Sequence, residues 1–416
     1  MRLLNPLFCC WLLLCLLVPS LSLAGESWPQ FRGPGGQGHS DSVGLPETWS
    51  ETENIVWKTP IPGRGWSSPV VLNGQIWMTT AEDKGHVLRA VCVDQQSGEL
   101  IHNVEVFQIE SPPELHNTNS HASPTPVVAE GRVFVHFGTS GTACLDTKSG
   151  EILWKNEELQ LDHQVGPGSS PIPFNDLLII NCDGMDVRFV VALYMETGKI
   201  AWKTDRSGEI LKPVDQHKAF CTPIIMAHDG KVQAVSIGAD RVISYVPTTG
   251  EELWHVRYDG FSNVSMPVFG DGMFIMSTGY MKPALIAFKP QGSGDITKRA
   301  MAWTYAKQVP AKPSLLLVED KLYMVNDAGV MTCLEAKNGN ERFTERLSGQ
   351  FSSSPIYADG RIYIGNEDGQ TFVVKPGNEF QQLAINQLDG RILASPAVVG
   401  KAIFLRTDTH MYRIEK

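Results

Sequence analysis

Eight positions in this sequence stand where side chains from separate repeats could act on one ligand. Arg64, Asn119, Gly166, Lys218, Ser262, Gln308, Gln350 and Arg391 each lie five residues ahead of a proline that opens a short apolar run. Seven of the eight are polar and none is acidic. Trp66, His121, His163 and His217 fall in the same loops. A guanidinium carries a planar fork of donors that suits a carboxylate or a peptide C-terminus better than a point charge does. The set Arg64, Trp66, Asn119, His121, His163, His217, Lys218, Gln350 and Arg391 therefore reads as a surface for a polar or anionic partner. Arg64 and Arg391 are expected side by side. The bland alternative is that these side chains face solvent, with arginine stems covering neighbouring loops.

Other chemistry is poorly supported. His116 and His121 bracket Asn117-Thr118-Asn119-Ser120, but a loop spacing of five specifies no metal geometry, so no metal site is assigned. Asp183, Asp240, Asp327, Asp368 and Asp408 recur at turns, where aspartate caps the backbone; one acid per repeat lies too far from the next to share calcium. There is no glycine-rich phosphate loop and no nucleophile elbow, and no catalytic residue is assigned. Cys92, Cys144 and Cys333 occupy one repeat position, so they should sit in different units and stay unpaired.

The elements that must position these loops come from an internal repeat. Asp146-Thr147-Lys148-Ser149-Gly150 followed by Trp154 is a strand, a tight turn and a second strand bearing tryptophan. Copies end in Trp202 and Trp254, and weaker ones put His102 and Phe343 at the tryptophan position. Trp57, Trp154, Trp202, Trp254 and Trp303 are read as structural, docking between neighbouring units. A second marker is the proline at Pro69, Pro124, Pro171, Pro223, Pro267, Pro313, Pro355 and Pro396, recurring every 40 to 55 residues or so. Between markers come Xaa-Gly hairpins such as Asn73-Gly74 and Asp271-Gly272. Short strands in eight such units predict an all-β, eight-bladed propeller with four-stranded antiparallel blades. The eighth unit stops at Lys416 before a fourth strand, while Asn54 to Lys58 looks like a fourth strand with no predecessors. The N-terminal strand carrying Trp57 should therefore complete the last blade and close the ring.

Residues 1–24 read as a signal peptide: Met1-Arg2, an apolar run from Leu3 to Leu23, and a small-x-small end at Ser22-Leu23-Ala24. Residues 25–53 form an N-terminal extension and residues 54–416 the propeller. The chain is expected to be exported, periplasmic or extracellular, monomeric, and without a transmembrane helix once the signal is removed. Its net charge of −10 argues against a nucleic-acid partner.

The Asp146-x-x-Ser149-Gly150-x-x-x-Trp154 pattern and its copies resemble the tryptophan-docking motif of quinoprotein-type propellers, the PQQ-like or BamB-like repeat family. The opening Trp28-Pro29-Gln30-Phe31-Arg32-Gly33-Pro34 resembles the start of many secreted bacterial members. The resemblance implies the propeller fold. It implies either of two functions, a non-catalytic scaffold of the cell envelope or a dehydrogenase holding pyrroloquinoline quinone (PQQ) and calcium. The dehydrogenases carry adjacent cysteines near the quinone, and the chain beyond residue 24 has no Cys-Cys pair. The expectation is a scaffold that binds a protein or peptide of the envelope at one mouth of the channel, with no cofactor; the alternative is a PQQ-dependent oxidoreductase.

Overall fold

A strand of alternating burial turns back on itself wherever two successive residues accept positive φ, and Asn73 (φ 52°) with Gly74 (φ 80°) is such a pair. Repeated along the chain, these hairpins build eight antiparallel sheets in the computed structural model, which describes residues 27–210 and 212–416. The signal-peptide expectation for residues 1–24 lies outside the described residues. Blade 1 runs outward through Val70–Leu72, Gln75–Glu82, Val87–Asp94 and Leu100–Gln108. Every later blade repeats that order, so entering loops and second-to-third-strand loops share one end of the ring, here called the mouth. The Xaa-Gly hairpins share the other end, the foot. In the eighth blade Ala397–Val399, Ala402–Arg406 and His410–Ile414 are followed on the outside by Ile55–Pro60, with Trp57 opposite Arg413. The ring is thus closed by the N-terminal strand, as expected. No helix among the described residues is long and apolar enough to cross a membrane.

Strand register corrects two of the eight markers. In every blade but the fourth, the amide two residues before the innermost strand donates to a hydroxyl of the next blade: Ser68 to Thr125 (3.0 Å), Thr125 to Ser170 (2.9 Å), Ser170 to Thr222 (2.9 Å), Met266 to Ser314 (3.1 Å), Ser314 to Ser354 (3.0 Å), Ser354 to Ser395 (2.9 Å) and Ser395 back to Ser68 (3.0 Å). Blade 2 therefore aligns on Thr125 and Pro126, not on Pro124, and blade 6 on Ser314 and Leu315, not on Pro313. Ser123-Pro124-Thr125-Pro126 offers two equivalent pairs two residues apart, and only the hydroxyl that reaches the next blade separates them. The mouth positions equivalent to Arg64 become His121 and Pro310 in place of Asn119 and Gln308.

Between blades the outer tryptophans lie on the glycine turn of the next unit. A Cβ added to Gly98, Gly198, Gly250 or Gly339 would come within 2.7 Å of the ring of Trp57, Trp154, Trp202 or Trp303 respectively. Each indole N–H also donates to a carbonyl of that turn, at Gln95, Met195, Pro247 and Ala336. Trp254 departs from the pattern. Blade 5 replaces its turn by residues 289–300, which include a short helix, Thr297–Ala300. The Trp254 indole instead donates to Gln233 Oε1 in its own blade (2.7 Å) and meets Phe288 of blade 5 edge-on at 5.9 Å. The blade 7 position holds Ala384, opposite Val373, and Trp49 of the N-terminal extension covers that seam, stacked on Tyr363 at 6.2 Å.

The extension is a strap inside the channel, laid against the innermost strands of several blades. Trp28 exchanges both backbone bonds with Val71 of blade 1, and Pro29 O receives Val128 N of blade 2. Arg32 Nη2 donates to Leu315 O of blade 6 (2.6 Å), and His39–Ser40 adds a parallel strand inside blade 7. Arg32 is fully buried beside no carboxylate, and burial lowers its pKa to about 9. The five described cysteines are free and buried, and burial raises each thiol.

Trp154→Ala should cost about 2–4 kcal/mol by chemical denaturation, since it removes a half-buried indole and its bond to Met195 O. A loss below about 0.5 kcal/mol would mean that the docking contact does not hold the blades.

Candidate functional site

The mouth loops carry the candidate residues, but their partners divide them into groups. Arg391 is half-exposed and pairs with Glu367 at 2.5 Å. Lys312 Nζ reaches the same carboxylate at 3.4 Å and Ser352 Oγ donates to it at 2.6 Å. Burial pushes the Glu367 carboxyl up, but the bonds from Ser352, Arg391 and Lys312 outweigh it and hold the group below its usual value. Gln350, exposed, contributes its carbonyl to Glu367 N (2.7 Å). Blades 6 to 8 therefore present a charge-neutralised rim.

Lys218 is buried, its ammonium bonded to Asp215 O, and burial lowers its pKa. His217 bonds Lys212 O (2.9 Å). Asn119 is a structural staple: its amide nitrogen donates to Val165 O (2.9 Å) and Pro167 O (3.1 Å), and its Oδ1 receives Ser120 N and Ser123 Oγ. His163 is buried, with Nε2 receiving Thr139 N (3.2 Å), and burial lowers its pKa to about 4. It is a neutral core histidine of blades 2 and 3. His116 bonds Thr118 Oγ1, away from His121, whose ring lies against Gly85.

Arg64 and Arg391 do not form the expected pair. Arg64 turns toward blade 2, its Nη2 on Asn117 O (3.4 Å) and Asn119 O (3.2 Å), whereas Arg391 turns toward blade 7. Spacing assigns a residue to a loop but not the direction in which its side chain leaves. The junction of blades 8 and 1 is held instead by Arg406, fully buried, whose Nη1 donates to Ser67 O, Ser67 Oγ and Thr79 O at 2.7–3.1 Å. Burial without a neighbouring charge lowers its pKa to about 9. A comparable tie joins blades 3 and 4. The Asp183 carboxylate receives Arg206 Nε at 2.7 and 2.8 Å, and Arg206 Nη2 reaches Ser236 Oγ (2.6 Å). Neither arginine carries a signal in the sequence, because an arginine ending an apolar strand reads as solvent-facing.

Two features remain open to a partner. Beside blade 1, a cleft of about 500 Å³ is lined by Gly63, Arg64, Lys84, Gly85, Leu115 and His121, among others. Across the mouth, the loops of blades 4 and 5 expose Val214, Val264, Tyr280 (59 %) and Met281 (70 %), with Phe261 edge-on to Tyr280 at 6.1 Å.

The donor set does not fit PQQ with calcium. Among the described residues no three His, Cys, Asp or Glu side chains cluster as metal ligands, Glu367 and Asp183 are committed to cations, and no two cysteines are adjacent.

A family model described as the outer membrane protein assembly factor BamB matches residues 48–156 and 295–409, together more than half of the chain. BamB from Moraxella catarrhalis superposes with a TM-score of 0.59 at 12 % identity, over 86 % of this chain and 99 % of that one. The quinohemoprotein alcohol dehydrogenase from Comamonas testosteroni superposes with a TM-score of 0.66 at 11 % identity, over 93 % and 80 %. At these identities the likeness is one of fold. An uncharacterized protein of Rickettsia prowazekii is 24 % identical over 157 residues, 37 % of this chain; the match spans 36 % of that relative's length.

Glu367→Gln should be about 1–3 kcal/mol less stable than the parent at pH 7. Because the folded carboxyl titrates below its ordinary value of 4.5, the advantage of Glu367 is present above that pH and fades as pH falls through the folded value. Thermal melting of both proteins from pH 7 to pH 3 checks this, and parallel curves would contradict it.

Proposed function

Because the chain belongs to the BamB-like family of PQQ-type propeller repeat proteins, we propose that it is a non-catalytic interaction scaffold of the cell envelope that engages a protein partner with its mouth face. The observation that carries this reading is the apolar rim of blades 4 and 5. Tyr280 and Met281 cap the loop between the second and third strands of blade 5, and Met281 holds φ 77°, a conformation that costs a side-chain-bearing residue energy. Two large apolar side chains raised into solvent on such a loop, next to Val264 and Val214, lose hydration cost only when a partner covers them. Aromatic and methionine side chains are also what the centres of protein interfaces favour.

Export to the envelope follows from the same reading, in keeping with the family's description as an outer membrane assembly factor. The rival role, a quinone-dependent oxidoreductase, draws on likeness of fold alone.

Replacing Tyr280 and Met281 together by serine should lower capture of the partner from an envelope extract by about tenfold or more, with the melting temperature unchanged. Undiminished capture would move the interface elsewhere. A stoichiometric binding heat on titrating the protein with PQQ and calcium would replace the scaffold reading with the oxidoreductase one.

A further inference from the structure

We infer that the cleft between blades 1 and 2 is a subsite for a carboxylate borne on an apolar peptide segment, with Arg64 as its anchor; the inference rests on the scaffold reading and names what part of the partner enters the mouth. Three cations occupy the equivalent mouth positions. Arg391 is neutralised by Glu367, and Lys218 is buried on a backbone carbonyl. Arg64 alone of the three is exposed and faces no carboxylate; its two bonds go to carbonyls at 3.2 and 3.4 Å, both from Nη2. Its guanidinium carbon lies 4.9 Å from the centroid of the Trp66 ring, a cation–π contact that, with the two carbonyl bonds, restrains the fork at the cleft wall. A pre-oriented fork loses less freedom when it binds a carboxylate through two parallel bonds.

The rest of the cleft fits an apolar chain end better than a phosphate. Its volume is in the range that accepts a small ligand, and Gly63, Ala81, Gly85 and Leu115 supply walls without charge. The acid on the rim closest to a cation, Glu82, is already bonded to Arg89 at 2.8 Å. Asp83 and Lys84 offset one another in charge, and Arg64 forms no ion pair among the described residues, so its fork is not committed to an acid of the cleft. His121 completes the floor. Burial first, and the charge of Arg64 next, keep its imidazole neutral, so it can meet a peptide amide without repelling the neighbouring cation. Its ring lies where a Cβ on Gly85 (φ 98°) would stand 2.3 Å from it, so glycine is required for the loop to close onto the histidine. Asp83 (φ 45°), Lys84 (φ 55°) and Gly85 are three successive left-handed residues, a loop held in a costly shape at the edge of the cleft.

Calorimetric titration of the full protein with three probes tests the assignment. They are N-acetyl-alanyl-alanyl-leucine with a free carboxylate, its C-terminal amide, and a blocked tripeptide whose single carboxylate is a glutamate side chain. The free acid should bind about tenfold or more tightly than the amide. The glutamate probe tells whether the carboxylate comes from a chain end or from a side chain, and binding by either supports the subsite. Arg64→Ala should erase the difference between acid and amide, Arg64→Lys should retain part of it, and Lys148→Ala, at the foot, should leave it intact. Equal binding of acid and amide, binding of neither acid probe, or a preference that survives Arg64→Ala would overturn the assignment. Tyr280 and Met281 lie across the mouth, so the apolar interface can fail while carboxylate selectivity stands, and the reverse.

Discussion

Amide-to-hydroxyl bonds between the openings of successive innermost strands are the constraint on which the mouth depends. Seven of the eight seams carry such a bond, each sealed from water, where an unmet amide would cost about 1–3 kcal/mol. The residue that follows is usually proline, which has no N–H to satisfy and fixes φ for the strand that begins there. Met266 interrupts the belt, since it offers Thr222 no hydroxyl. At that seam Cys221 Sγ lies 3.4 Å from Ser265 O, a weaker contact. Because the belt sits only a few residues below the entering loops, it places Arg64, His121, Lys218 and Arg391 on one rim.

The belt sets position around the ring, and buried arginine ties set stiffness across particular seams. Arg406 joins the last blade to the first, and Arg206, held by Asp183 of its own blade, joins the third to the fourth through Ser236. Removing either partner of such a tie would leave a buried group unmet, which costs more than the loss of an exposed bond. The mouth then divides by charge. Blades 6 to 8 spend their cations on Glu367 and Asp327, while blades 1 and 2 leave Arg64 unspent and blades 4 and 5 raise an apolar rim. A partner meeting this face encounters one neutral polar arc, one apolar arc and one cleft with an unpaired arginine, which is an arrangement that fixes orientation as well as contact.

The repeat was legible because its signals are local. A glycine turn followed by a tryptophan four residues on appears as such in the chain, and so does an orphan strand around Trp57 beside an eighth unit lacking one. Register was less so, because the two proline pairs at Ser123 to Pro126 differ only in which hydroxyl meets Ser68. The candidate site was legible as a set of loops but not as a geometry. Arg64 and Arg391 were placed in neighbouring blades correctly, yet their side chains leave in opposite directions. Arg406, Arg206 and Glu367 were missed because their importance lies in what another blade brings to them. The strap from Trp28 to Trp49 was silent for the same reason, since its partners lie up to 339 residues away in sequence.

Residue-resolved hydrogen exchange under native conditions tests most directly whether the ring is one unit held at the belt. The amides of Ser68, Thr125, Ser170, Met266, Ser314, Ser354 and Ser395 should exchange together and only through global opening, while Thr222, facing Met266, exchanges sooner. Belt amides that exchange blade by blade, at rates like those of the loops above them, would contradict the account.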